Sequence, residues 1–127
     1  MSPDPRVKAL SLVAPGGALI ALGRKTLEIR RWAPDLRPDE DLLVVENRRF
    51  LHEDGEEDPD GRACALVRVS TIRPFTAEGI PAACATSWQP GWLAWHLTDI
   101  RPCRPPTPLP ARRRIYELCL PDLQIFP

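Results

Sequence analysis

Sixteen prolines in a chain of 127 residues constrain the fold more than any other feature of the sequence. Proline lacks the backbone donor and clashes with the preceding turn of a helix, so a chain this rich in it disfavours a helical bundle and suits short strands joined by stiff connections. The length fits one domain, residues 1–127, able to bury about two thirds of the surface of the unfolded chain. With 43% hydrophobic and 27% charged residues, the composition is that of an ordinary soluble protein.

Lysines plus arginines and aspartates plus glutamates number 17 each, so the formal net charge is zero, which argues against a protein that coats nucleic acid through bulk electrostatics. The charges are unevenly spread. Glu53, Asp54, Glu56, Glu57, Asp58 and Asp60 crowd into one eight-residue window of the polar loop over residues 47–61, leaving 17 basic against 11 acidic residues outside that window. The body can then present a basic face, or the loop can simply be solubilising. Cys64, Cys84, Cys103 and Cys119 include no CxxC pair, and His52 and His96 are far apart, so no metal, cofactor or disulfide framework is expected and the thiols read as reduced. The apolar stretch from Ala9 to Leu22 is interrupted at Pro15-Gly16-Gly17 and preceded by Asp4, which reads as a strand and a helix rather than a signal peptide. No apolar window approaches the roughly 20 residues of a membrane span. A cytoplasmic monomer without membrane contact is expected.

Hydrophobic periodicity gives six strands within a core of about residues 7–120. Val7 to Val13 is the first, followed by a short helix from Gly17 to Leu22 that Gly23 stops in the left-handed conformation. Lys25 to Arg30 is the second. Alternation places Thr26, Glu28 and Arg30 on one face and Lys25, Leu27 and Ile29 on the other, with Leu27 and Ile29 filling the interior. Asp41 to Glu46 is a strand buried on both faces. Arg62 to Arg73, Gly91 to Ile100 and Arg114 to Leu120 complete the set, with a short helix around Ala77 to Cys84 and a proline-rich link, RPCRPPTPLPARR, before the last strand. This is an α+β pattern, mainly β. Six strands with one or two short helices fit a small mixed β-barrel, whose closure protects the sheet edges.

The segment from Gly23 to Trp32, GRKTLEIRRW, resembles the G-x-K-x-x-E-x-R motif of the ASCH domain (activating signal cointegrator-1 homology), a member of the PUA-like superfamily. The likeness extends from about Val7 to Leu118: a strand and helix precede the motif, LLVVEN follows it, and GWLAWHLTDIRPCRPPTPLPARRRIYEL is similar to the family's closing segment. The resemblance implies a barrel with a cleft beside the helix-to-strand turn, and ligands among RNA, DNA or modified nucleosides. Some small bacterial members act as amidohydrolases on acetylated cytidine and others as ribonucleases. In the amidohydrolase-like pattern the motif lysine is catalytic, with a threonine three positions later and a glutamate from a later helix. Lys25 matches the lysine, whereas Glu28 stands at the threonine position, nearer the coactivator-type pattern.

The residues define the chemistry to be tested. Arg30 has a planar fork suited to a phosphate or carboxylate, and Glu28 can accept from a base or a ribose hydroxyl. Trp32 is a candidate to stack on a base or a rim residue closing the barrel. Asn47 and Arg48, beside Glu46 and Arg49, are candidates for a second wall of the cleft, and Arg112, Arg113 and Arg114 for contacts to a nucleic-acid backbone, or for a solvated linker. The first function read from these residues is binding of RNA or a nucleoside- or nucleotide-like ligand. The second is a hydrolase, a metal-independent ribonuclease or an amidohydrolase of N4-acylated cytidine, with Lys25 and Glu28 as its catalytic pair. The third is a protein-interaction module. If Lys25 and Glu28 formed only a surface ion pair, it would contribute less than about 1 kcal/mol.

Overall fold

The structure, a computed structural model, describes residues 6–119. Leu120, placed by the sequence reading at the end of the last strand, lies outside the described residues. The elements run β1 (Arg6–Val13), α1 (Gly16–Ala21), β2 (Leu27–Arg30), β3 (Leu42–Asn47), β4 (Glu57–Asp58), β5 (Arg62–Pro74), a 3-10 turn (Ala77–Gly79), α2 (Ile80–Ala83), β6 (Leu93–Pro108), β7 (Ala111–Arg112) and β8 (Ile115–Cys119).

Six strands form one mixed sheet in the order β2-β6-β5-β3-β1-β8, and β4 pairs with β7 as a separate ribbon. Among the described residues, only β1 and β3 run parallel; the other pairs are antiparallel. The expected closed barrel is therefore corrected to an open sheet with β2 and β8 at its edges. Side chains bridge the gap instead of a strand ladder. Arg30 Nη2 of β2 donates 3.0 Å to the Ser11 carbonyl of β1, and the Arg114 guanidinium, just ahead of β8, lies 5.2 Å from the centre of the Trp32 ring.

The continuous apolar run of β3 is buried on both faces. Leu42 and Val44 join Leu10, Leu12, Val67, Trp95 and Ile20 of α1 in one core cluster, while Leu43 and Val45 join Val7, Ala9, Ala63, Leu66 and Leu109 in the other. Gly17 lets α1 sit close to the sheet: a Cβ there would come within 2.5 Å of Glu46 Cγ and 2.8 Å of Cys64 Sγ.

Three readings of the sequence need correction. Leu27 and Ile29 do not fill the main interior, because Glu28 pairs with Trp95 across the ladder and shares its face. Leu27 instead packs with Phe75, Ala83 and Ala94, and Ile29 lies against this third cluster beside α2. The proline-rich link is mostly strand: β6 continues to Pro108, with register breaks against β5. β2 pairs with β6 only over Leu93 to His96, so the proline segment has one edge without a ladder, where a missing donor costs nothing. The acidic loop is also partly built into the fold. Asp58 is only 2% exposed, and its carboxylate accepts the N–H groups of Arg48 at 2.6 Å, Asp60 at 2.9 Å and Arg49 at 3.3 Å. Burial pushes its pKa up, but these donors outweigh burial and hold it below the usual 3.8.

Candidate functional site

A cavity of about 560 Å³ opens between α1, the start of β2, the end of α2 and the segments following β3 and β7. The backbone fixes its floor. Gly23, at φ +76, ends α1, and the N–H groups of Arg24 and Lys25 both turn back to the Leu19 carbonyl, at 3.0 and 3.2 Å. Thr26 N–H then donates 2.8 Å to Ala82 of α2. Lys25 thus precedes β2 and escapes its alternation, so its side chain reaches the same side as Glu28.

Lys25 is 9% exposed and Glu28 6%. Lys25 Nζ donates 2.7 Å to the Ala83 carbonyl and lies 3.4 Å from Glu28 Oε1. Glu28 Oε1 also accepts Ile29 N–H at 3.0 Å, and Oε2 lies 3.1 Å from Arg30 Nη2. One carboxylate thus orients two cations. The Arg30 side chain keeps 24% of its surface exposed at the cavity wall, so a ligand can reach a guanidinium that its neighbours hold in place.

The other candidates are distributed around this floor. Asn47 is buried in the cavity wall, its amide nitrogen donating 2.6 Å to the Arg49 carbonyl. Arg48 is exposed and does not line the cavity; its backbone serves Asp58. Trp32 lies outside this cavity, edge-on to Trp95 with ring centres 5.1 Å apart, and its carbonyl accepts Trp95 Nε1–H at 3.2 Å. It lines a second, neighbouring groove. Arg112 turns away to Glu57 at 3.3 Å, whereas Arg113 and Arg114 line the cavity. Arg113 is also 3.4 Å from Asp54, so the acidic loop neutralises part of the basic cluster.

Phe50 and Cys84 are cavity residues that the sequence reading does not single out. Phe50 is 67% exposed at the mouth, and Val13, Pro15 and Leu51 add apolar lining beside it. A phenylalanine in the middle of a polar, charged loop was the available signal. Cys84 enters the wall because it closes α2 in the left-handed conformation, φ 52, which spacing does not reveal.

The lining contains four cationic side chains, Lys25, Arg30, Arg113 and Arg114, against the single carboxylate of Glu28. That balance favours an anion. The 3-10 turn and α2 carry one acidic residue, Glu78; it is exposed and absent from the lining, so no helix glutamate joins Lys25 in the cavity. Among the described residues, no group of three or more His, Cys, Asp or Glu side chains is placed to hold a metal ion, and no helix is long and apolar enough to cross a membrane.

The mixed sheet, the helix ahead of β2 and the cleft at their turn define a β-rich domain of the PUA-like kind. The ASCH domain family model matches residues 10–107, and the chain belongs to that family. Similar solved structures include the ASCH protein from Zymomonas mobilis, at 16% identity and TM-score 0.65 over 91% of this chain and 89% of that one. A serine-to-alanine variant of that protein matches at 18% identity and TM-score 0.61, covering 95% and 94% of the two chains. These likenesses concern the fold. No curated protein sequence matches this chain.

Proposed function

We propose that the protein binds RNA or a nucleotide-like ligand in the cavity beside the G-x-K-x-x-E-x-R motif. The observation that carries this reading is the pinned Lys25–Glu28–Arg30 row beneath an opening lined by Arg113, Arg114 and an exposed Phe50. The phosphate lies at Arg30 with the two rim arginines, and the base lies against Phe50 and the apolar wall of Val13, Pro15 and Leu51. Titration with a panel of single-stranded RNAs and nucleotides at low salt tests it. Saturable binding supports the reading, and its absence across the panel removes it.

One observation favours a hydrolytic reading as well: Lys25 and Glu28 form an ion pair 3.4 Å apart, sequestered on the cavity floor, and a lysine and a carboxylate are groups able to serve as acid and base. Product formation from RNA or an N4-acylated cytidine in excess chelator, abolished in Lys25→Ala, supports catalysis. Equal activity in that variant clears the motif of it.

A further inference from the structure

The groove lined by Trp32 has a volume of about 360 Å³ and is walled by Lys8, Trp32, Asp35, Arg114, Tyr116 and Glu117. It and the main cavity, at about 560 Å³, share one lining residue, Arg114. Both volumes fall in the range of about 300–1,000 Å³ typical of ligand pockets. Arg114 adopts a left-handed backbone, φ 63, and its guanidinium sits 5.2 Å from the centre of the Trp32 ring.

The charges of the two spaces differ. The main cavity keeps a cationic excess, with Lys25, Arg30, Arg113 and Arg114 against Glu28 in the lining and Asp54 beside Arg113, whereas the groove sets Lys8 and Arg114 against Asp35 and Glu117. Lys8 is also engaged, donating 2.8 Å to the Asp35 carbonyl and lying 3.2 Å from Glu40. The groove therefore suits an uncharged aromatic group better than a second phosphate. Half-buried Trp32 and the flat guanidinium of Arg114 supply planar surfaces, on both of which nucleobases stack.

We infer that the groove is a second base subsite, and that the ligand is a single-stranded oligonucleotide of at least two nucleotides whose linking phosphodiester is held at Arg114. One nucleoside occupies the main cavity and its neighbour lies against Trp32. This rests on the nucleotide reading of the main cavity and extends it from a monomer to a strand.

The test compares a mononucleotide with the dinucleoside monophosphate that adds one unphosphorylated nucleoside to it. The dinucleotide carries less negative charge, so a lone cationic cavity binds it no better than the mononucleotide. A second subsite makes it bind more tightly, by roughly 10-fold, within the range of one base–aromatic stack. Trp32→Leu keeps an apolar side chain against Trp95 and removes the π face; because that face also meets the guanidiniums of Arg30 at 6.0 Å and Arg114 at 5.2 Å, the readout is the ratio of the two affinities within the variant, and the dinucleotide advantage should be abolished. Because Trp32 also packs on the core, Glu117→Trp serves as the second variant: it fills the groove from the exposed position of β8 and should have the same effect. Mononucleotide binding without a dinucleotide advantage, or an advantage that survives in the folded variants, overturns the second subsite alone. Failure of both ligands to bind overturns the cavity reading and the subsite with it.

Discussion

The Lys25 ammonium and the Glu28 carboxylate meet 3.4 Å apart on the cavity floor, both less than a tenth exposed. Glu28 also holds Arg30 at 3.1 Å, so its removal leaves two cations short of a partner. Glu28→Ala should destabilise the fold by about 3 kcal/mol, the scale for breaking a buried ion pair from one side. Lys25→Met should cost less, about 1 kcal/mol, because Glu28 keeps Arg30 and the Ile29 N–H. Chemical denaturation of both variants checks the order; equal losses would place the energetic weight elsewhere.

Asp58 ties the acidic loop to the sheet through three backbone donors, which hold its folded pKa below the usual 3.8. A depressed folded value means that the carboxylate contributes stability above about 3.8, lost as the pH falls through the lower folded value. Asp58→Asn should therefore be less stable at neutral pH, by about 1–3 kcal/mol, and should show a shallower acid-induced loss. Asp41 adds to the same acid dependence: burial raises its pKa, but the Arg101 and Arg68 hydrogen bonds outweigh burial and lower it. Denaturation midpoints across pH 2–7 measure the difference between wild type and Asp58→Asn.

Gly17→Ala should displace α1, since the new Cβ meets Glu46 Cγ at 2.5 Å and Cys64 Sγ at 2.8 Å. Glu46 cannot readily yield, because its Oε2 accepts Ala18 N–H at 2.8 Å. A loss of about 1–3 kcal/mol is expected, as for an overpacked core. Ligand affinity should weaken as well, because Pro15, Gly16 and Leu19 line the cavity. A wild-type melting temperature would contradict the close contact.

The cysteines should differ in reactivity. Burial, with Glu46 adding to it, pushes the Cys64 thiol up to about 12, and burial also raises Cys103. Cys84 is exposed in the cavity wall. Peptide mapping after brief alkylation should find Cys84 modified and Cys64 and Cys103 intact. A bound nucleotide should protect Cys84.

Period and composition made the strands legible where one side chain class decides each face, as in β3, whose unbroken apolar run is buried on both sides. Gly23 was equally readable, because a left-handed helix stop is a local requirement. Other features depended on distant partners. Glu28 faces the sheet interior because Arg30 and Lys25 neutralise it there, reversing the assignment made from the hydrophobicity of Leu27 and Ile29. The proline segment forms strand because β2 is too short to need its donors. The arginine cluster divides according to which acidic side chain lies opposite, Glu57 for Arg112 and Asp54 for Arg113, while Arg114 turns to Trp32.

Calorimetric titration of the protein with a nucleoside 5′-monophosphate at low salt, set beside the same titration of Arg30→Ala, bears most directly on the cavity as a nucleotide site. The wild type should saturate with one ligand per chain. Arg30→Ala should bind roughly 10-fold or more weakly, as the loss of a charged hydrogen bond of about 1.5–3 kcal/mol implies, and raising the salt should narrow the gap. A wild type that does not saturate, or a folded Arg30→Ala variant with undiminished affinity, would contradict the assignment.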